Sequence, residues 1–302
     1  MSGTRLAVLG DPVAHSKSPA LHAAAYRVLG LDWSYTAVEL PAIELGGFVD
    51  ELGDDWRGLS LTMPHKQVVL PLLDEREELV EIVGAANTLL FDGPRRLGFN
   101  TDVEGIVRAL ADHGVTALET VQILGGGATA RSALAAVARL GARRVEVSVR
   151  DPERAADLTP LAERLGLELA LRPFAAPDAA AAVPDLVLST LPGHAEIELA
   201  VPEATRARAV LLDVAYEPWP SRLATAWQRA GGRVVSGLEM LLHQAIGQVR
   251  IFATGSRDGA LPDEAAVVAA MRDAVGLSAP GSPRAPGSTP AAGSTPAPAL
   301  EG

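Results

Sequence analysis

The sequence predicts an α/β fold of two domains with a cleft between them. Three observations predict it. Short β-type runs alternate with longer Ala/Leu-rich helical stretches, the pattern of sheets covered by helices on both faces. A second such unit starts afresh near residue 121, with its own glycine-rich turn. And 302 residues make two domains at roughly 150 residues each.

Taken in order, strand 6–9 runs into the loop His15-Ser16-Lys17-Ser18-Pro19, and helix 20–29 follows, with Ser18 fit to cap it and Pro19 at its first position. Strands 35–40 and 59–61, helix 67–73 and strand 88–91 come next. Asn100-Thr101-Asp102 is a capping sequence for helix 103–113. Strand 121–124 opens the second unit, followed by helix 130–140, strand 145–149 and helix 152–165, with Asp151 as cap and Pro152 first. Strands 186–189, 210–213 and 234–236 and helix 222–230 complete it, and helices 238–252 and 264–275 close the pattern. Steady alternation implies parallel sheets. The expected division is 1–102, 103–237, a C-terminal pair of helices in 238–276 that packs back on the first domain, and a tail, 277–302. That tail is crowded with Pro, Gly, Ser and Ala and is expected to be disordered, because it buries too little apolar surface to offset the entropy of ordering.

Composition narrows the function classes. The chain is 48% hydrophobic and 21% charged, with 26 Lys+Arg against 37 Asp+Glu and a formal charge of -11. So acidic a chain repels phosphate backbones, and 4% aromatics give few rings for stacking bases; a nucleic-acid partner is not expected. The absence of cysteine excludes disulfides, iron–sulfur clusters, thiolate zinc sites and cysteine nucleophiles. The six histidines at 15, 22, 65, 113, 194 and 243 form no HxxxH or His-rich tract, so no metal is expected. No apolar run approaches the roughly 18 residues of a membrane span, and the first residues are too short for a secretory core. A cytoplasmic protein, monomer or homodimer, is the expectation.

At the second unit, Val121-Gln122-Ile123-Leu124 runs into Gly125-Gly126-Gly127-Ala128-Thr129-Ala130 and then a helix. This is G-x-G-x-x-A in the strand–turn–helix context of a Rossmann-type dinucleotide site: Gly125 for the turn, Gly127 for backbone approach to a pyrophosphate, Ala130 for close helix packing. The next strand ends in Val149-Arg150-Asp151-Pro152-Glu153-Arg154. Arg150 and Arg154 suit the 2′-phosphate of NADP, whereas Asp151 suits the ribose hydroxyls of NAD or simply caps a helix. NADP is the expected cofactor, with NAD as the alternative.

Three polar clusters in the first unit resist explanation as scaffold. Ser16 and Ser18 both suit a small polyol; capping explains Ser18 but not Ser16. Ser60-Leu61-Thr62-Met63-Pro64-His65-Lys66 follows a short strand, and Pro64 forces a turn that presents Thr62 and Lys66 together. Gly98-Phe99-Asn100-Thr101-Asp102 is the third, with Asn87-Thr88 a strand earlier.

The segments HSKSP (15–19), LTMPHK (61–66), GAANT (84–88), GFNTD (98–102), GGGATAR (125–131), DVAYEPWPSRLA (213–224) and GLEMLLHQA (237–245), in this order and spacing, resemble the shikimate dehydrogenases. The resemblance runs from near residue 5 to about residue 275. It implies an N-terminal substrate domain, a Rossmann-type NADP-binding domain, and NADP-linked reversible reduction of 3-dehydroshikimate to shikimate. It places substrate contacts at Ser16, Ser18, Thr62, Lys66, Asn87, Asp102, Tyr216 and Gln244, with Lys66 and Asp102 as the catalytic pair. Cofactor positions fall on Gly125, Gly126, Gly127, Ala128, Thr129, Val149, Arg150, Asp151 and Arg154, and on Val214, Gly237 and Met240 near the nicotinamide. Two departures stand out: Ala128 where the family often has Gly, and Val149-Arg150-Asp151 where it commonly has Asn-Arg-Thr. Gln244 also admits a plain reading as a solvated position on a helix in which Leu238, Leu241, Ala245 and Gln248 share a spacing. Two rival functions are carried alongside: a sister enzyme acting on quinate or an aminated shikimate, and a catalytically silent nucleotide sensor.

Overall fold

The computed structural model describes residues 3–174, 183–193 and 201–278. His194 and the tail beyond 278 lie outside the described residues. The first sheet is built from β1 (Thr4–Gly10), β2 (Trp33–Glu39), β3 (Trp56–Leu61), β4 (Glu75–Arg76), β5 (Thr88–Asp92) and β6 (Arg95–Phe99), in the order β2-β1-β3-β5-β6-β4. With it come α1 (Ser18–Leu29), α2 (Leu45–Asp50), α3 (His65–Val68) and α4 (Glu78–Val83). The linker helix α5 (Asp102–Asp112) leads to a second sheet of β7 (Thr120–Leu124), β8 (Arg144–Val149), β9 (Glu168–Pro173), β10 (Leu186–Ser189), β11 (Val210–Asp213) and β12 (Val234–Ser236). Its order is β12-β11-β10-β7-β8-β9, and every pairing is parallel. This is the doubly wound dinucleotide topology, which reverses direction between β7 and β10. Helices α6 (Ala128–Arg139), α7 (Leu158–Arg164), α8 (Glu203–Arg208) and α9 (Arg222–Arg229) accompany it, and α10 (Gly237–Thr254) and α11 (Glu264–Ala274) follow.

Alternation along β1 explains the first core. Leu6 and Val8 face one side, where Leu21 and Ala25 of α1, Leu242, Ala245, Val249 and Phe252 of α10 and Val267 and Met271 of α11 cover them. Ala7 and Leu9 face the other, against Leu45 and Val49 of α2. In the second sheet Ile123, Val147, Leu188 and Leu212 pack against α5 and α6 through Ile106, Leu110, Ala133 and Leu134. Val187 and Leu211 meet Trp227 of α9 on the opposite face, where the indole N–H donates to the Ala209 carbonyl at 2.9 Å. Among the described residues no helix is long and apolar enough to cross a membrane.

The structure departs from the sequence expectations in identifiable places. The first sheet is mixed: β5 runs antiparallel to both β3 and β6. The hairpin β5–β6 turns at Gly93-Pro94, with Asp92 opposite Arg95; Arg95 and Arg96 hide a strand whose Leu97 and Phe99 alternate inward. β4, β9, α2, α4 and α8 also escape a search for apolar runs, being short or polar. Helix 67–73 divides into α3 and a 3-10 turn at Leu70–Leu72, because Pro71 brings no N–H to continue the ladder. Helix 152–165 begins only at Leu158. Asp151 does accept from the Glu153 and Arg154 amides, at 3.1 and 3.4 Å, but the chain then runs through three-residue turns. Leu277 and Ser278, assigned by composition to the tail, are bonded: the Leu277 amide donates to the Arg272 carbonyl and the Arg272 guanidinium to the Ser278 carbonyl.

A polar network lies within the first core. His22 is fully buried, its ring stacked on Tyr35 at 3.9 Å. Gln248 donates from its amide to the Asn87 carbonyl and to Thr88, which turns its oxygen toward His22 Nε2 at 3.3 Å and the Ser60 hydroxyl at 2.9 Å. His22 Nε2 therefore carries the proton, and Nδ1 accepts from the Tyr26 hydroxyl at 2.9 Å. Burial holds the imidazole down at about 3, against the opposing hydrogen bond to Gln248. Below the ordinary pKa of 6.5 the unfolded chain takes up a proton that the folded chain refuses until about pH 3. Stability is thus lost as pH falls through this window, by about 1.4 kcal/mol per unit from this group. His22→Phe is expected to be less stable at neutral pH, where Gln248 and Tyr26 lose a partner, but to fall less steeply between pH 6 and 4. Urea unfolding across that range measures it; parallel curves for the two proteins would remove His22 from the acid response.

Candidate active site

Strand ends bring the polar clusters together. The β3–β5 pairing sets Ser60 opposite Thr88, and the Leu61 amide donates to the Asn87 carbonyl at 2.8 Å. The β5–β6 pairing sets Thr88 opposite Phe99, so Asn87 before β5 lies beside residues 100–102 after β6. Lys66 follows β3 in α3, and its carbonyl accepts from the Ala86 amide at 2.8 Å. Three segments distant in sequence thereby reach one end of the sheet.

There the Lys66 ammonium donates to Asp102 Oδ2 at 2.6 Å. Both side chains are buried, Lys66 at 9% and Asp102 at 3% exposure. The Asn87 amide donates to Asp102 Oδ1 at 2.9 Å, with Thr101 Oγ1 at 2.8 Å and Gln244 Oε1 at 3.1 Å also in reach. Its oxygen accepts from the Thr101 amide at 2.9 Å, which fixes the amide orientation. Lys66 Nζ also lies 3.5 Å from Thr129 Oγ1, a residue of the glycine-rich turn. An amine, a carboxylate and two amides thus converge beside the second sheet's phosphate-type turn, where a proton can be given to a developing alkoxide and the cation can stabilise it.

Gln244 is buried and not solvated. Its amide donates to the Leu241 carbonyl at 3.0 Å, leaving the oxygen toward Asn87. Ser18 is buried and Ser16 half-buried. Ser18 lies within hydrogen-bonding reach of Tyr35, and its amide donates to Ser16 Oγ at 3.3 Å. Tyr216, in the loop after β11, crosses to the first domain: burial pushes its hydroxyl above the ordinary phenol range, opposed by hydrogen bonds to the Lys17 main chain and the Ser16 side chain. Lys17 and Glu217 pair beside it at 3.8 Å. Thr62 is anchored through its amide to the Leu9 carbonyl at 2.9 Å, half-buried at the end of β3.

At the end of β7, Gly125 turns with φ of 101°, and a Cβ there would stand 2.5 Å from Thr190 Oγ1. Gly126 packs toward Val149. Gly127, the N-cap of α6, is open: a Cβ there would meet no atom within 4 Å. An uncrowded glycine at the N-terminus of a twelve-residue helix fits a pyrophosphate. Helix α6 starts at Ala128, two residues before its expected start, so Ala128 and Thr129 form its first turn. Arg150 is exposed beyond β8. Arg154 reaches back to Asp151 at 3.3 Å, which leaves Arg150 as the stronger group for a 2′-phosphate. Val214 and Gly237 touch through their backbones, and Met240 is buried below them.

Sequence reading missed several buried partners. Gln248, read there only by its helical spacing, anchors the network described above; a second glutamine four residues after Gln244 was its signal. Asn100 caps α5, accepting from the Asp102 and Val103 amides at 3.0 and 3.3 Å; neither Thr101 nor Asp102 does so, which frees the Asp102 carboxylate for Lys66. Asp112, Glu239 and His243 bring ligand-type atoms within 4.8 Å of one another, a grouping from α5 and α10 that no local motif reveals. The Arg272 guanidinium bridges its carboxylates, at 3.0 Å to Glu239 and 3.6 Å to Asp112.

Comparison with known proteins places this arrangement among relatives. A family model described as "Shikimate dehydrogenase substrate binding domain" matches residues 8–89. The shikimate dehydrogenase (NADP(+)) of Methanothermobacter thermautotrophicus is 34% identical over 81% of this chain and 89% of its own. Among solved structures, the Mycobacterium tuberculosis shikimate dehydrogenase is 40% identical, with a TM-score of 0.78 over 89% of this chain and 99% of that one. The Thermus thermophilus shikimate 5-dehydrogenase, solved in complex with NADP(H) and shikimate, is 33% identical with a TM-score of 0.74, covering 90% of this chain and 99% of that one.

Proposed function

The chain belongs to the shikimate dehydrogenase family, and from that premise we propose how its own residues carry out the reaction. The reaction is the reversible NADPH-dependent reduction of 3-dehydroshikimate to shikimate, a step toward chorismate and the aromatic amino acids. When bound, NADPH supplies the hydride. Lys66 delivers the proton to the carbonyl oxygen in the reducing direction and stabilises the charge that builds there; Asp102 orients the ammonium and shares a substrate hydroxyl. Asn87 and Gln244 offer amides to the ring hydroxyls, while Ser16, Ser18, Thr62 and Tyr216 bind the carboxylate and remaining oxygens. The observation that carries this reading is the 2.6 Å Lys66–Asp102 contact, buried and 3.5 Å from Thr129 of the cofactor turn.

Gly125, Gly126, Gly127, Ala128 and Thr129 would hold the pyrophosphate at the N-terminus of α6, and Val214, Gly237 and Met240 would line the nicotinamide pocket. Of Val149, Arg150, Asp151 and Arg154 around the adenosine ribose, Arg150 is given the 2′-phosphate. We assign residues 1–102 to substrate binding, 103–237 to the cofactor, and 238–276 to helices that complete the substrate side, in a cytoplasmic monomer or homodimer. The buried amine–carboxylate pair favours an enzyme over a silent sensor, which would need neither group.

Spectrophotometric assay of shikimate and quinate with NADP+ and NAD+ tests the assignment, with shikimate and NADP+ expected to give the highest kcat/KM. Arg150→Ala is expected to raise the KM for NADP+ by at least about tenfold, the low end for a hydrogen-bonded charge, and to leave NAD+ kinetics unchanged. Equal losses with both cofactors would reject the 2′-phosphate contact.

A further inference from the structure

Asn100 uses both ends of its side-chain amide in four hydrogen bonds beside the site. Its oxygen accepts from the Asp102 and Val103 amides, and its amide donates to the Ala85 carbonyl at 2.9 Å and to Ser132 Oγ at 3.1 Å. All four bonds are buried, and Asn100 and Ser132 are both wholly inaccessible to solvent. The oxygen must face the two N–H groups, so the amide orientation is unambiguous. The four partners belong to three structures: the first turn of α5, which carries Asp102; the 84–88 loop, which carries Asn87; and α6, which carries Thr129 in its first turn.

We propose that Asn100 is a positioning residue for Asp102, and that its hydrogen bond to Ser132 sets the carboxylate relative to the helix on which the cofactor's phosphates would rest. The inference rests on Asp102 being half of the catalytic pair. Nothing in the Lys66–Asp102 contact itself fixes that pair against the cofactor domain, and the 3.5 Å approach of Lys66 to Thr129 is a long bond. The Asn100–Ser132 bond supplies that reference between the start of α5 and the second turn of α6. A displacement of about an ångström at a reacting group is enough to lower turnover by about a hundredfold.

The test is a double-mutant cycle on kcat, with Asp102→Asn measured alongside. Asn100→Ala is expected to lower kcat at least tenfold and Ser132→Ala about threefold to fivefold, each with the KM for NADP+ within twofold. If Ser132 acts through Asn100, the double variant matches Asn100→Ala alone. A merely structural role lowers Tm and leaves kcat of the folded enzyme unchanged at 25 °C, and that result overturns the proposal, as do additive losses in the cycle. Should Asn100→Ala fail to fold, Ser132→Ala decides by itself: wild-type kcat overturns the proposal, and reduced kcat with unchanged KM for NADP+ supports it. Asp102→Asn separates the two readings. Wild-type kcat there removes Asp102 from the chemistry and the proposal with it, whereas a large loss there beside wild-type kcat in the Asn100 and Ser132 variants rejects the positioning role alone.

Discussion

Lys66→Ala is expected to lower turnover at least about 100-fold, the low end for loss of a general acid. The KM values should move far less, since Asn87, Gln244 and the serines still hold the substrate. The same substitution also removes the partner of a buried carboxylate: Asp102 is 3% exposed and keeps only the Asn87 amide on Oδ1 and its helix start. Breaking a buried pair typically costs about 3–5 kcal/mol. Activity must therefore be measured well below the unfolding temperature, with Tm recorded for each variant. Lys66→Met, which keeps the stem volume, is expected to show the same kinetic loss. Turnover near wild type in either variant would remove Lys66 from proton transfer.

The second large effect is expected at Gly237→Ala. A Cβ there would lie 2.1 Å from the Val214 carbonyl oxygen and 2.3 Å from its carbon. Those atoms follow β11, and Gly237 itself opens α10, so neither side can yield as a side chain would. Overpacking of about 3 kcal/mol corresponds to a fall in Tm of roughly 5 °C for a chain of this size. Because the contact joins two residues assigned to the nicotinamide pocket, the KM for NADP+ should rise at least about fivefold, while Thr62 and the serines of the substrate side are undisturbed. A lower Tm with unchanged KM for NADP+ would leave Gly237 as a packing residue and take it out of the cofactor site.

Of the fold, the parallel strands of the second sheet that are short apolar runs were readable; 186–189, 210–213 and 234–236 match the observed strands residue for residue. The edges were not. β6 begins with two arginines, and β9 runs as ELALRP, half-exposed at the sheet margin, where solvent contact relaxes the demand for apolar residues. Missing β6 hid the hairpin, and with it the reason Asn87 stands beside Asp102.

Residue types and local turn chemistry were sequence properties: the glycine turn, the amine, the carboxylate and the amides can be named from spacing and family likeness, since each depends on its immediate neighbours. Which of them touch was settled only by packing. Antiparallel pairing of β3, β5 and β6 carries Lys66, Asn87 and residues 100–102 to one sheet end, and burial of α10 turns Gln244 and Gln248 inward. Hydrogen-bond direction then divides the labour, giving the helix cap to Asn100 so that Asp102 is left to face the ammonium. Such contacts join positions tens to more than a hundred residues apart, and no local pattern encodes them.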